Sequence, residues 1–177
     1  MNIAKKNNME LNHTKCKYMP IKGRKRYNMD EIKINIENNQ ICKVTNYKYL
    51  GIIIDHNLNW KEHIKSLTKK IHKFIPIFYN IRNYTKQKVG IQLYKTMIMN
   101  VINYGILIYA NSDTKILQKL IDEIIGIIDF TKDKKISNLK SENKIMNIEN
   151  YNKLEWIKLA HDIIHNSKKL PEYYKNY

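Results

Sequence analysis

The stretch KYLGIIIDHNLNWKEHIKSLTKKI, Lys48 to Ile71, decides how the chain is read. Its first third is aromatic and β-branched, which favours a strand, with Gly51 set inside the apolar run. DHNLN supplies turn residues. From Asn59 onward the apolar positions recur every three to four residues, so the period changes from that of a strand to that of a helix. The fold class expected from this switch is α+β: a small antiparallel β-hairpin followed by a mainly helical bundle.

Upstream, KINIEN (Lys33 to Asn38) alternates polar with apolar, and CKVTNYKYLGIII (Cys42 to Ile54) is a second strand candidate, with ENNQ turning between them. Downstream, Asn59 and Glu62 have the form of a capping box at a helix start. Trp60, Ile64, Leu67, Ile71, Phe74, Ile75 and Phe78 then share an arc of about 100° as the inward face. Pro76 lacks a backbone donor and is expected to kink or end this helix. A second helix is expected over 86–103, closing at Gly105, and a third after Ser112 or Asp113 with apolar pairs Ile116/Leu117, Leu120/Ile121 and Ile124/Ile125. Residues 132–144 are polar and read as loop. A fourth helix runs from Tyr151 to about Asn166, ahead of Pro171, and no 20- to 50-residue repeat is visible.

The 177 residues suffice for one domain or two small ones, and 43% hydrophobic with 27% charged residues is a folding composition. Lys and Arg number 32 against 16 acidic residues, a formal charge of +16. Such a field favours polyanions, nucleic acid above all. A lysine-rich codon bias is the bland alternative. Cys16 and Cys42 do not suggest a disulfide framework, so a reducing compartment is the default expectation. MNIAKKNNMELN has no apolar run of signal-peptide length, and Met97 to Ala110 is too short and too interrupted to cross a bilayer, so no membrane segment is expected.

Four groups of residues could carry chemistry. Lys61, Lys65, Lys69 and Lys73 follow one another at four-residue intervals, side by side on the flank away from the apolar arc. Like charges so spaced repel, and a phosphate backbone would relieve them; a solvated helix face is the alternative. Gly51 would permit a bulge or a close backbone approach. HDIIH, His161 to His165, superficially matches the zinc motif H-E-x-x-H, but Asp162 is shorter than the required glutamate, and His13 and Cys16 have no second ligand pair, so no metal site is expected. There is no Asp-x-Asp, Walker loop, G-x-S-x-G or G-x-G-x-x-G. No catalytic residues are therefore assigned.

LNHTKCKYMPI (from Leu11), NYKYLGIIIDHNLNWKEHI (from Asn46), LYKTMIMNVINYGILIYA (from Leu93) and HNSKKLPEYY (from His165) together have an order and spacing that extend over Leu11 to Tyr174. This combination resembles the C-terminal part of reverse transcriptases encoded by non-LTR retrotransposons of the jockey-like kind. The resemblance implies a palm-tail, primer-grip-like β segment over 1–56, a thumb-like helical bundle over 57–130, and a loop with a C-terminal helical extension over 131–177. It makes Asn12 and Lys15 the flank of the nucleotide site and Tyr49, Leu50 and Gly51 a primer-grip-like turn. The helix from Trp60 becomes the first of the thumb.

The family's RNA-directed DNA polymerases work with Mg²⁺ held by palm aspartates. A Y-A-D-D-like segment should lie just before Leu11, where MNIAKKNNME stands instead. The expectation is therefore a fragment with no cofactor of its own, inactive as a lone polymerase, that holds RNA/DNA primer-template duplex through its backbone. The missing fingers and palm are a further implied partner. The alternative is a helical protein-interaction module whose lysines only solubilise it.

Overall fold

The computed structural model describes residues 7, 12, 14–21, 32–36, 39–129 and 135–165. Two units are present, residues 1–62 and 63–177. The architecture is α+β, with short strands in the first unit and helices in the second.

Three two-stranded ladders make up the described β structure. β1 (Lys17–Tyr18) pairs in parallel with β4 (Cys42–Lys43), while β2 (Asn35–Ile36) and β3 (Asn39–Gln40) form a short antiparallel pair. β5 (Asn46–Tyr49) and β6 (Ile52–Asp55) form the longest hairpin, in the register Asn46↔Asp55 through Tyr49↔Ile52. The single strand expected over Cys42 to Ile54 is thus three strands, and Gly51 lies in a two-residue turn rather than within a strand. The reason is conformational: Leu50 and Gly51 have φ of 46° and 86°, and positive φ at both central residues is what a type I′ hairpin turn requires. Among the described residues of this unit Ile41, 4% exposed, is the buried aliphatic, its N–H donating to the Ile34 carbonyl at 2.8 Å.

Helix α1 (Lys61–His72) buries His63, Ile64, Leu67 and Ile71. Trp60 does not join that face, because its φ of 61° places it before the helix. The chain breaks ahead of Pro76, which sits in the first turn of α2 (Ile75–Ile81), where a missing N–H costs nothing. α3 (Gln87–Leu93), a π-turn (Tyr94–Ile98) and α4 (Met99–Asn103) run on continuously, as the 86–103 reading expects, and Gly105 follows in the left-handed region. In the π-turn the Met99 N–H reaches the Tyr94 carbonyl, and the Tyr94 hydroxyl donates to Met99 Sδ at 3.2 Å. After the short α5 (Ile106–Tyr109) comes α6 (Lys115–Ile128), started by Asp113, whose Oδ1 accepts the Lys115 N–H at 3.1 Å.

α6 is the centre of the second unit and packs on α2, on α3 and on α7 (Ile136–Glu142). It buries Leu117, Leu120, Ile121, Ile124, Ile125, Ile127 and Ile128, each side chain contributing roughly 1.5–3 kcal/mol. Ile116, expected inside, is 65% exposed. The expected loop over 132–144 is corrected by α7, whose Leu139 is 1% exposed. Its Lys140 pairs with Asp122 of α6 at 2.5 Å, so one apolar anchor and one ion pair hold a helix too polar to be read from its own sequence. α8 (Ile148–His165) begins three residues before the expected start and is tied by Asn152 Nδ2 donating to Asn111 Oδ1 at 2.9 Å. Among the described residues no helix is long and apolar enough to cross a membrane.

Two glycines separate close packing from helix propensity. A Cβ on Gly90 would meet Ile128 Cγ2 at 2.9 Å, whereas one on Gly126 meets nothing nearer than Ile136 Cδ1 at 3.8 Å. Gly126→Ala should therefore stabilise the fold by about 0.5–1 kcal/mol through helix propensity. Gly90→Ala should destabilise it by roughly 1 kcal/mol net, because overpacking outweighs the same gain. Urea denaturation of both variants measures the opposite signs.

His63 is 2% exposed and meets the Tyr109 ring edge-on, centroids 5.0 Å apart and planes at 68°. Burial lowers its pKa from the ordinary 6.5. The unfolded chain then binds this proton before the folded one does, so the contribution is whole above 6.5 and is lost as the pH falls below it. Thermal melts between about pH 8 and pH 5 should show this decline, and His63→Phe should flatten that part of the profile.

Candidate nucleic-acid interface

Helix α1 owes its two flanks to its sequence period. With Ile64, Leu67 and Ile71 turned inward, Lys61, Lys65 and Lys69 are exposed in a row, successive positions about 6 Å apart along the axis. Lys73 is also exposed but follows the helix, in the turn before α2, so the helical row contains three of the four. Among the described residues no carboxylate lies within ion-pair distance of these four amines. Glu62 in the first turn and Lys69, Lys70 and His72 in the last complement the helix dipole, which offsets part of the repulsion within the row.

The helix entry is organised by Asp55, 6% exposed at the end of β6. Its Oδ1 accepts the N–H groups of Asn57 at 3.0 Å and Asn59 at 3.3 Å, and Oδ2 accepts that of Trp60 at 2.8 Å. These bonds hold Leu58 and Trp60 at φ of 53° and 61°, a region that side chains with a Cβ avoid. The expected capping box is replaced by this arrangement: Asn59 Oδ1 accepts from Lys61, two residues on, at 3.0 Å.

Tyr49, Leu50 and Gly51 form the exposed tip of the β5–β6 hairpin, Tyr49 at 60% and Leu50 at 72% exposure. Asn12 shapes its own turn, its side-chain oxygen accepting from the Thr14 hydroxyl at 2.7 Å and its carbonyl from the Lys15 N–H at 3.1 Å. Lys15 is exposed beside it. All five residues belong to the first unit.

Among the described residues there is no Mg²⁺ site of the polymerase kind. Asp55 spends its carboxylate on backbone N–H groups, and among the described residues no set of three His, Cys, Asp or Glu side chains converges to hold a metal. The rings of His161 and His165 meet at a 42° tilt on exposed turns of α8, centroids 4.4 Å apart, with Asp162 Oδ1 3.9 Å from His161. Cys16 and Cys42 are free thiols, and His13 lies outside the described residues.

One signal extends beyond the lysine row. Between Glu62 and Asp113 the sequence has no acidic residue, yet it holds Lys65, Lys69, Lys70, Lys73, Arg82, Lys86, Lys88 and Lys95. Charge segregation along the chain, rather than spacing on one helix, is the feature that finds Arg82, Lys86 and Lys88. Comparison with family models, with curated proteins and with solved structures finds no match.

Removing the Asp55 carboxylate leaves three N–H groups without an acceptor and releases two strained residues. Asp55→Ala should cost about 2–3 kcal/mol locally. Hydrogen exchange at the Asn57, Asn59 and Trp60 amides should accelerate accordingly, and Asp55→Asn, which keeps one acceptor oxygen, should accelerate it less.

Proposed function

We propose that this chain is the thumb-bearing part of an RNA-directed DNA polymerase of the non-LTR retrotransposon kind, and that it grips the backbone of an RNA/DNA primer-template duplex. The observation that carries the reading is the exposed row Lys61, Lys65 and Lys69, without an ion-pair partner among the described residues, which leads into the acid-free segment after Glu62. A polymerase must accept any sequence, and lysines aimed at phosphates give position without reading bases. The hairpin tip at Tyr49, Leu50 and Gly51 supports the same reading through its resemblance to a primer grip. Among the described residues no carboxylates converge on a metal, so this reading assigns the chain to holding duplex rather than extending it, and the nucleotide-site roles of Asn12 and Lys15 depend on a fingers and palm part.

A second reading has its own observation. On α8, Trp156 is 45%, Ile157 66% and Ile164 71% exposed, an apolar surface that suits a module docking on another protein.

Gel-shift titration of an RNA/DNA hybrid over a salt series discriminates the two. Under the polymerase reading, log affinity falls steeply with log salt, and Lys65→Glu with Lys69→Glu flattens the slope by about one unit per lost phosphate contact. Absent or salt-insensitive binding favours the docking module.

A further inference from the structure

The link between α2 and α3 carries a group of residues that the duplex grip does not use. Tyr84, at 89% exposure, is the most exposed large hydrophobic side chain among the described residues. Its backbone is nonetheless fixed: the N–H groups of Tyr84 and Thr85 both donate to the Ile81 carbonyl at 3.0 Å, and the Thr85 hydroxyl donates to the same oxygen at 3.0 Å. One turn back, the Arg82 guanidinium lies over the Tyr79 ring, 4.8 Å from its centroid. Lys86 and Lys88 follow, both exposed. Asp129, 5% exposed, accepts from Gln87 Nε2 at 3.2 Å at this corner.

From this geometry we propose that the α2–α3 corner is a stacking site for an unpaired base of a single-stranded nucleic acid. Tyr84 is the platform, and Lys86 and Lys88 neutralise the flanking phosphates. The inference rests on the nucleic-acid reading above but addresses a different form of ligand. Bases inside a duplex are already stacked on both sides, so an exposed phenol on a rigid turn gains only from a base with an open face. A tyrosine also offers a large flat surface with few torsions to freeze, and stacking tolerates any base, in keeping with a chain that reads phosphates rather than sequence. Cations two and four residues from the ring, in a segment without acids, supply the electrostatic half of such a site.

Fluorescence anisotropy of a labelled oligothymidylate with the full chain tests this. Tyr84→Ala should weaken binding about tenfold, Tyr84→Leu should weaken it similarly, and Tyr84→Phe should bind as the parent does. Affinity of Tyr84→Ala for the RNA/DNA hybrid should stay within about twofold, since its contacts there are to phosphates through other residues. Equal oligothymidylate affinity of parent and Tyr84→Ala overturns the inference, as does a Tyr84→Leu variant that matches the parent. Tyr84-dependent sedimentation with phosphatidylserine vesicles, with oligothymidylate binding unchanged, reassigns the corner to a membrane surface and likewise overturns it. The two readings fail separately. Lysine reversal that leaves hybrid binding intact sinks the duplex grip alone, and a neutral Tyr84→Ala beside a lysine-dependent hybrid sinks the stacking site alone.

Discussion

Burial of α6 is the constraint from which the second unit follows. Seven of its aliphatic side chains are inside, and a helix that apolar cannot be satisfied by one neighbour. α2, α3 and α7 each take part of its surface. The tight contact of Gly90 with Ile128 shows how closely α3 approaches it. Even the polar bonds serve this helix: Gln118 donates to Asp122 at 2.8 Å and accepts the Ile148 N–H at 2.9 Å, which fixes where α8 begins.

Among the described residues the first unit has no comparable core, and it relies on a local device. Its ladders are two to four residues long, too short to be stable through pairing alone. One carboxylate, Asp55, gathers three amides and so converts the end of β6 into the entry of α1. Asp55, Leu58 and Trp60 acquire a physical meaning here: the aspartate is the acceptor, and Leu58 and Trp60 are the residues it holds in left-handed conformation.

Electrostatics and packing are thereby divided along the chain. The acid-free run from His63 to Ser112 covers α1 beyond Glu62 and on through α5, while Asp122 and Glu142 stand on α6 and α7. A field of one sign over consecutive elements attracts a polyanion without specifying its sequence. Lysines on a regular helix offer evenly spaced point charges, and the aromatic corner at Tyr84 offers a flat apolar face, so in the proposed reading the two features select different states of the same class of ligand.

What the sequence determined by itself was whatever depends on local stereochemistry or on a strong period. The continuous helix over 87–103, the break at Pro76, the left-handed Gly105 and the inward face Ile64, Leu67 and Ile71 were all legible, because a missing donor, a missing Cβ or a 3.6-residue repeat acts within a few residues. The lysine row was legible for the same reason, as far as Lys69. Tertiary structure alone decided the rest. The turn at Leu50 and Gly51 was hidden because a leucine does not announce positive φ, α7 because its stability comes from Leu139 and Lys140 meeting α6, and the exposure of α8 because an apolar face does not state whether anything covers it. The α1 start was hidden too, since a cap supplied by Asp55, four residues before Asn59, lies outside the window in which capping signals are read.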